Sequence, residues 1–114
     1  MTDCLFCKIV NGTIPSKKIY EDEYVYAFHD IDPKAPVHIL IIPKKHISGV
    51  PDLRNDDDVV IGRIMRVAHH LAQENGIATS GYRVVVNSGK DAGQAVFHIH
   101  YHLLGGRHLA WPPG

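Results

Sequence analysis

His98, His100 and His102 alternate with apolar residues in the stretch FHIHYHLL, residues 97–104. Side chains two apart share one face of a strand but diverge on a helix, so the spacing predicts a strand with three imidazoles on one side. The apolar row Phe97, Ile99, Tyr101 and Leu103 then occupies the other side. Each imidazole can serve near neutral pH as acid, base, nucleophile or metal ligand. His-x-His is good ligand geometry, and a catalytic zinc can be held by three histidines. Three ligands on one extended strand, however, would spread over about 13 Å, too far for one ion. At most two can share a metal, which leaves another task for the third. His38, on a separate apolar stretch, adds a fourth imidazole.

The loop before this stretch suggests that task. Asn87, Ser88, Gly89 and Lys90 end one segment, and Gly93, Gln94, Ala95 and Val96 lead into the next. Glycines let backbone N–H groups approach an anion, and amide side chains can bind phosphate oxygens without adding charge. A neutral imidazole facing a phosphorus held this way can attack without first losing a proton.

These residues need a scaffold, and the rest of the chain supplies its outline. At 114 residues, the length suits about one domain, 1–114, with a core of its own. Twelve Lys and Arg balance twelve Asp and Glu, so no bulk charge points to nucleic acid or a membrane surface. No basic leader, membrane-length apolar run, internal repeat or linker stands out, and a soluble, cytoplasmic protein is expected. CLFCKIVNG reads as a short helix ended by Asn11-Gly12, and KKIYED and EYVYAFHD read as two strands. DPKAP is a turn, and VHILIIP a third strand. Val60, Ile61, Ile64, Val67, Ala68, Leu71 and Ala72 recur at helical spacing, from an N-cap expected at Asp56 to Gly76. YRVVVNS and the histidine stretch complete five strands. The order predicts an α+β fold: a five-stranded antiparallel sheet with one long helix and a short N-terminal helix.

FHIHYHLL fits the histidine triad pattern, and HDIDPKAPVHILIIPKKHI, YRVVVNSGKDAGQAVFHIHYHLLGGR and the terminal WPPG resemble the Hint branch of that superfamily. The resemblance runs from Cys4 to Gly114. It implies hydrolysis of purine nucleoside 5′-phosphoramidates and acyl-adenylates by a homodimer that needs no cofactor for its chemistry. On that resemblance, His100 is the nucleophile that forms a nucleotidyl-histidine, while His102 contacts the phosphate and with His38 manages the leaving group's proton. Asn87 and the backbone around Gly93, Gln94, Ala95 and Val96 would hold the phosphate. Asp30 would take the ribose hydroxyls, and Leu5, Phe6, Ile9, Phe28, His29 and Ile31 would surround the purine. Trp111, on the tail, would reach the partner's site. Members often carry Ser at the position of Ala95, so turnover of amine-leaving substrates is expected to be lower here.

Cys4-x-x-Cys7 alone is a weak zinc signal, and its plain alternative is two small half-buried hydrophobes. The resemblance adds His46 and His98 as partners in a structural Cys₂His₂ zinc site, which would remove His98 from the chemistry. A non-catalytic nucleotide-binding scaffold and a dinucleoside polyphosphate hydrolase are the competing functions. His100 argues against the first and AWPPG against the second.

Overall fold

The computed structural model describes residues 3–114. Its elements run α1 (Leu5–Val10), β1 (Lys18–Glu21), β2 (Val25–His29), β3 (Val37–Pro43), α2 (Asp58–Glu74), β4 (Tyr82–Val86) and β5 (Tyr101–Gly105). The five strands form one antiparallel sheet in the order β1-β2-β3-β5-β4, the expected α+β architecture. Central β3 is the most apolar strand, with Ile39, Ile41 and Ile42 fully buried. Among the described residues, no helix is long and apolar enough to cross a membrane.

Alternation along the strands divides the sheet into two faces. On one, α2 sets Val60, Ile64, Val67, Ala68, Leu71 and Ala72 against Val25, Ala27, Ile39, Ile41, Tyr101 and Leu103. On the other, α1 sets Phe6 and Ile9 against Tyr26, Phe28, Leu40 and Ile42. His38 and His102 alternate with the residues that face α2, which places them on the α1 side. Cys4 caps α1, its Sγ accepting the N–H of Cys7 at 3.4 Å, and Gly12 ends the helix region at φ +85°. Asp22 closes the β1–β2 turn by accepting the N–H groups of Tyr24 and Val25, both at 2.8 Å.

Three expectations need correction. The histidine strand is regular only from Tyr101, so His98 and His100 lie in its irregular approach. There the Ile99 N–H bonds the carbonyl of Ile47 in a neighbouring loop, and the His100 ring bonds the carbonyl of His98, which bends the segment out of the ladder. Phe97 accordingly misses the apolar row and is 63% exposed. The long helix starts at Asp58, after a 3₁₀ turn over Asn55–Asp57, with Asp57 rather than Asp56 in the capping position. The Asp57 carboxylate does not cap α2. It accepts from Lys45 Nζ at 2.7 Å and from the Arg54 N–H at 2.9 Å, tying the turn to the end of β3.

Candidate active site

Hydrogen bonds from fixed backbone groups decide which nitrogen of each imidazole carries its proton. His98 is fully buried, and its Nε2 lies 2.8 Å from the Pro43 carbonyl. A carbonyl only accepts, so the proton sits on Nε2 and the Nδ1 lone pair faces the cysteines. His100 Nδ1 lies 2.8 Å from the His98 carbonyl. Its proton is therefore on Nδ1, and Nε2 holds a free lone pair. His38 is the reverse case: the Lys34 N–H donates to Nδ1 at 3.0 Å, which forces the proton to Nε2. That Nε2–H points to His102 Nδ1 at 2.9 Å and lies 3.4 Å from Asp30 Oδ2. His102, accepting at Nδ1, must carry its own proton on Nε2.

A chain of donors thus runs from the Lys34 peptide through His38 to His102, with the basic nitrogen of His100 beside it. The His100 and His102 rings are 5.2 Å apart, centre to centre. Burial holds His38 below the ordinary histidine range, with the Lys34 cation adding to the effect and Asp30 opposing it. His102 is pushed down to about 4, first by burial and then by the His100 and His38 rings. Both are neutral at pH 7, as the hydrogen bonds require. Asp30, His38 and His102 have the composition of a two-histidine, one-carboxylate metal site. Ligation through His38 Nε2 would move its proton to Nδ1, against the Lys34 N–H, so the cluster is built as a hydrogen-bond chain.

The chain opens into a cleft of about 320 Å³ where Asp30, Lys34, His38, Asn87 and His102 meet. Phe6 packs its edge on the His98 and His100 rings, at 5.9 and 5.1 Å, and on Phe28 at 5.7 Å. Phe6, Phe28 and Ile9 are buried in the α1-side core, where they support the imidazoles. His29 is half-buried at the end of β2, and Ile31 is 93% exposed. Leu5, Ala95 and Val96 instead line a second cleft of about 630 Å³, with Cys4, His46 and Phe97. Trp111 is 81% exposed and lines neither cleft; Arg83 holds its tail through the Ala110 carbonyl at 3.0 Å.

The loop departs from a simple phosphate cradle. The Gln94 amide, expected to offer donors to an anion, is committed within the protein. Its Nε2 donates to the Ser48 and Val96 carbonyls, and its Oε1 accepts from the Gly89 N–H. The N–H groups of Gly93 and Gln94 donate to the Lys90 and Gly89 carbonyls. Gln94 therefore staples the loop, and Asn87 is the expected phosphate ligand that faces the cleft beside His102.

Cys4, Cys7, His46 and His98 converge with one donor atom each, all within 4.8 Å of one another. Sulfur-to-nitrogen distances are 3.4 Å for Cys4–His98, 3.4 Å for Cys7–His46 and 3.6 Å for Cys7–His98. Burial, reinforced by Cys4, pushes the Cys7 thiol up, while burial pushes His98 down to about 4. A cation would reverse the cost of the thiolates and find His98 already neutral. The cluster can hold a metal ion.

Sequence reasoning missed two kinds of participant, the backbone groups of Lys34 and Pro43 and the Arg107 side chain, which donates to the Lys34 carbonyl at 3.1 Å. The only sequence trace of the first is the proline-bounded turn that presents Lys34.

The HIT domain model matches residues 11–109. A HIT-like protein of Synechococcus elongatus is 45% identical over 112 residues, covering 98% of this chain and 97% of the relative. The crystal structure of a HIT family hydrolase from Legionella pneumophila superposes with a TM-score of 0.96 at 51% identity, over 98% of this chain and 100% of that one. A histidine triad nucleotide-binding protein from Candida albicans gives a TM-score of 0.81 at 35% identity, over 96% and 83%. With its imidazoles ordered on the α1 side of a five-stranded sheet and these similarities along nearly its whole length, the chain belongs to the HIT family.

Proposed function

We propose that the chain is a Hint-type hydrolase of purine nucleoside 5′-phosphate derivatives, phosphoramidates and acyl-adenylates, acting through a nucleotidyl-histidine. The observation that carries this reading is the pairing of a basic Nε2 on His100 with a proton-bearing Nε2 on His102, each set by a separate hydrogen bond. The names of the similar proteins, a hydrolase and a nucleotide-binding protein, support it.

His100 Nε2 gives its lone pair to the α-phosphorus, and the bond from phosphorus to the leaving group breaks with its electron pair. His102 Nε2–H donates to a phosphate oxygen as charge grows there, together with Asn87. A carboxylate leaves as it is, whereas an amine must collect a proton on departure. Water then adds to phosphorus and gives up a proton to solvent, the bond to His100 breaks with its electron pair returning to Nε2, and the nucleoside monophosphate is released. Asp30 offers acceptor oxygens to a ribose diol. With Ala95 in place of a hydroxyl, this chain has one fewer proton source for amines.

The metal assigned to the Cys₂His₂ cluster is zinc, in a structural role. Zn–S near 2.3 Å and Zn–N near 2.0 Å at tetrahedral angles place sulfur and nitrogen about 3.5 Å apart, in line with the three spacings of 3.4, 3.4 and 3.6 Å. A homodimer through α2 and the β4 edge would cover Val59, Met65 and Val86, which are exposed on one chain.

The test is His100→Asn. Hydrolysis of an adenosine phosphoramidate should fall more than about a hundredfold, with nucleoside monophosphate binding kept. Rapid quench of the wild type should trap an adduct on His100. Activity above a tenth of wild type, an order-of-magnitude threshold, would remove the nucleophile assignment.

A further inference from the structure

We infer that the turn bearing Lys34, clamped by Arg107, is a tautomer lock, and that Arg107 is a positioning residue acting through the backbone of Lys34 on His38 and His102. The inference rests on the hydrolase reading for its kinetic effect, though its structural content stands apart from it.

His38 is 5% exposed, so its tautomer is set by protein partners rather than by water. Nδ1 meets the Lys34 N–H at 3.0 Å. Nε2 meets His102 Nδ1 at 2.9 Å. Those two bonds are compatible only with the proton on His38 Nε2, which in turn leaves His102 a donor at its own Nε2. If the Lys34 N–H moved away, only the Asp30 carboxylate, 3.4 Å from Nε2, would still favour the present tautomer, and part of the His38 population could carry its proton on Nδ1 and accept at Nε2. His102 would then swap as well, and a lone pair would face the phosphate oxygen that a proton now faces. The contact would change from attraction to repulsion.

The Lys34 backbone is held from outside the cleft through its carbonyl, which belongs to the next peptide group, one Cα away from the N–H that meets His38. Arg107 Nε donates to the Lys34 carbonyl at 3.1 Å, and its guanidinium also donates to the His108 carbonyl at 2.9 Å. The two preceding glycines each allow a close approach, and that of Gly106 is to the segment bearing Lys34. A Cβ at Gly105 would sit 2.5 Å from Ile77 Cδ1. At Gly106, φ is +90° and a Cβ would sit 2.9 Å from Pro36 Cβ, so the turn lies flat on the Lys34 segment. Residues 105–107 therefore form a brace behind the imidazole pair, with Arg107 donating to the backbone carbonyls of Lys34 and His108.

Nitrogen-15 NMR of the histidine rings tests the lock directly, because the two neutral tautomers have distinct shifts. In the wild type, His38 should be a single Nε2–H tautomer at pH 7.5. Lys34→Pro removes the N–H, and Arg107→Met releases the carbonyl while sparing the Lys34 residue in case the proline disturbs folding. Both should turn His38 into a mixture of tautomers and lower kcat about tenfold, part of the 10²–10³ that a whole oxyanion donor supplies, with KM changed less than about twofold. Arg107→Lys, which keeps a donor, should restore both tautomer and rate. A mixture in the wild type, or a single Nε2–H tautomer in folded Arg107→Met, would overturn the lock. If wild-type protein showed the expected tautomer yet hydrolysed no nucleotide derivative, the lock would stand and the hydrolase reading alone would fall.

Discussion

Neutral His102 in a half-buried position makes stability depend on acid in a calculable way. Its folded pKa is about 4, against 6.5 in the unfolded chain. Between these values the unfolded state binds more protons, so stability rises with pH there and is lost as pH falls from 6.5 toward 4. One pKa unit corresponds to about 1.4 kcal/mol, so lowering the pH from 7 to 4.5 should cost at most about 2 kcal/mol through this ring alone, solvent around the half-buried ring screening the remainder. His98, also near 4, adds a similar amount unless a metal occupies its Nδ1, and His38 adds in the same direction. The lowered carboxylates, Glu21, Asp22, Asp32 and Asp57, work in a lower range: the stability they give is present above their unfolded pKa and lost only beneath it. The interval from pH 6.5 to about 5 therefore reports the histidines, and Glu21, whose ordinary pKa is 4.5, begins to contribute at its lower end. The assay is urea unfolding at pH 7.0, 5.5 and 4.5 for wild type and for His102→Gln. The variant, whatever its stability at pH 7, should lose up to about 2 kcal/mol less than wild type on going to pH 4.5. Equal losses in the two proteins would show that His102 is protonated as readily when folded as when unfolded, and the neutral donor chain would be wrong.

Ala95→Ser should speed an amine-leaving phosphoramidate about three- to tenfold while leaving an acyl-adenylate within about twofold, measured as kcat on matched adenosine substrates, since only the amine needs a proton. Cys7→Ala should abolish a stoichiometric zinc of about one per chain in elemental analysis and lower the melting temperature by roughly 10 °C, with His100 adduct formation retained in the folded fraction. Deleting residues 108–114 should leave a dimer in sedimentation at micromolar concentration but change the ranking of leaving groups; an unchanged ranking would confine Trp111 to local packing.

What the sequence revealed, and what it hid, follows from whether a feature is carried by side-chain period or by backbone position. The seven apolar residues from Val60 to Ala72 repeat at helical spacing because one stripe of α2 must face β3 and β5, and six of them are buried. The β3 run is apolar on both sides because it lies between two cores. Such patterns are legible without coordinates. The approach to β5 was not. Ile99 satisfies its N–H on Ile47, more than fifty residues earlier, and no local pattern announces that exchange. Gln94 looks like a phosphate ligand in a glycine loop, and becomes a staple only because the Ser48 carbonyl lies within 2.9 Å. Asp57 likewise trades a helix cap for Lys45.

The same distinction explains how three histidines of one type and one spacing acquire different chemistry. Each ring is told apart by a backbone group: the Pro43 carbonyl for His98, the His98 carbonyl for His100, and the Lys34 N–H, relayed by His38, for His102. The first arrangement turns a lone pair to the cysteines. The second leaves a lone pair on Nε2, and the third places a proton there. Alternating spacing can put imidazoles in a row, but it cannot say which nitrogen holds the hydrogen. That assignment depends on groups every residue carries, placed by β3, by a proline-bounded turn and by an arginine brace. A substitution in that turn can therefore change the site's chemistry while every histidine remains in place.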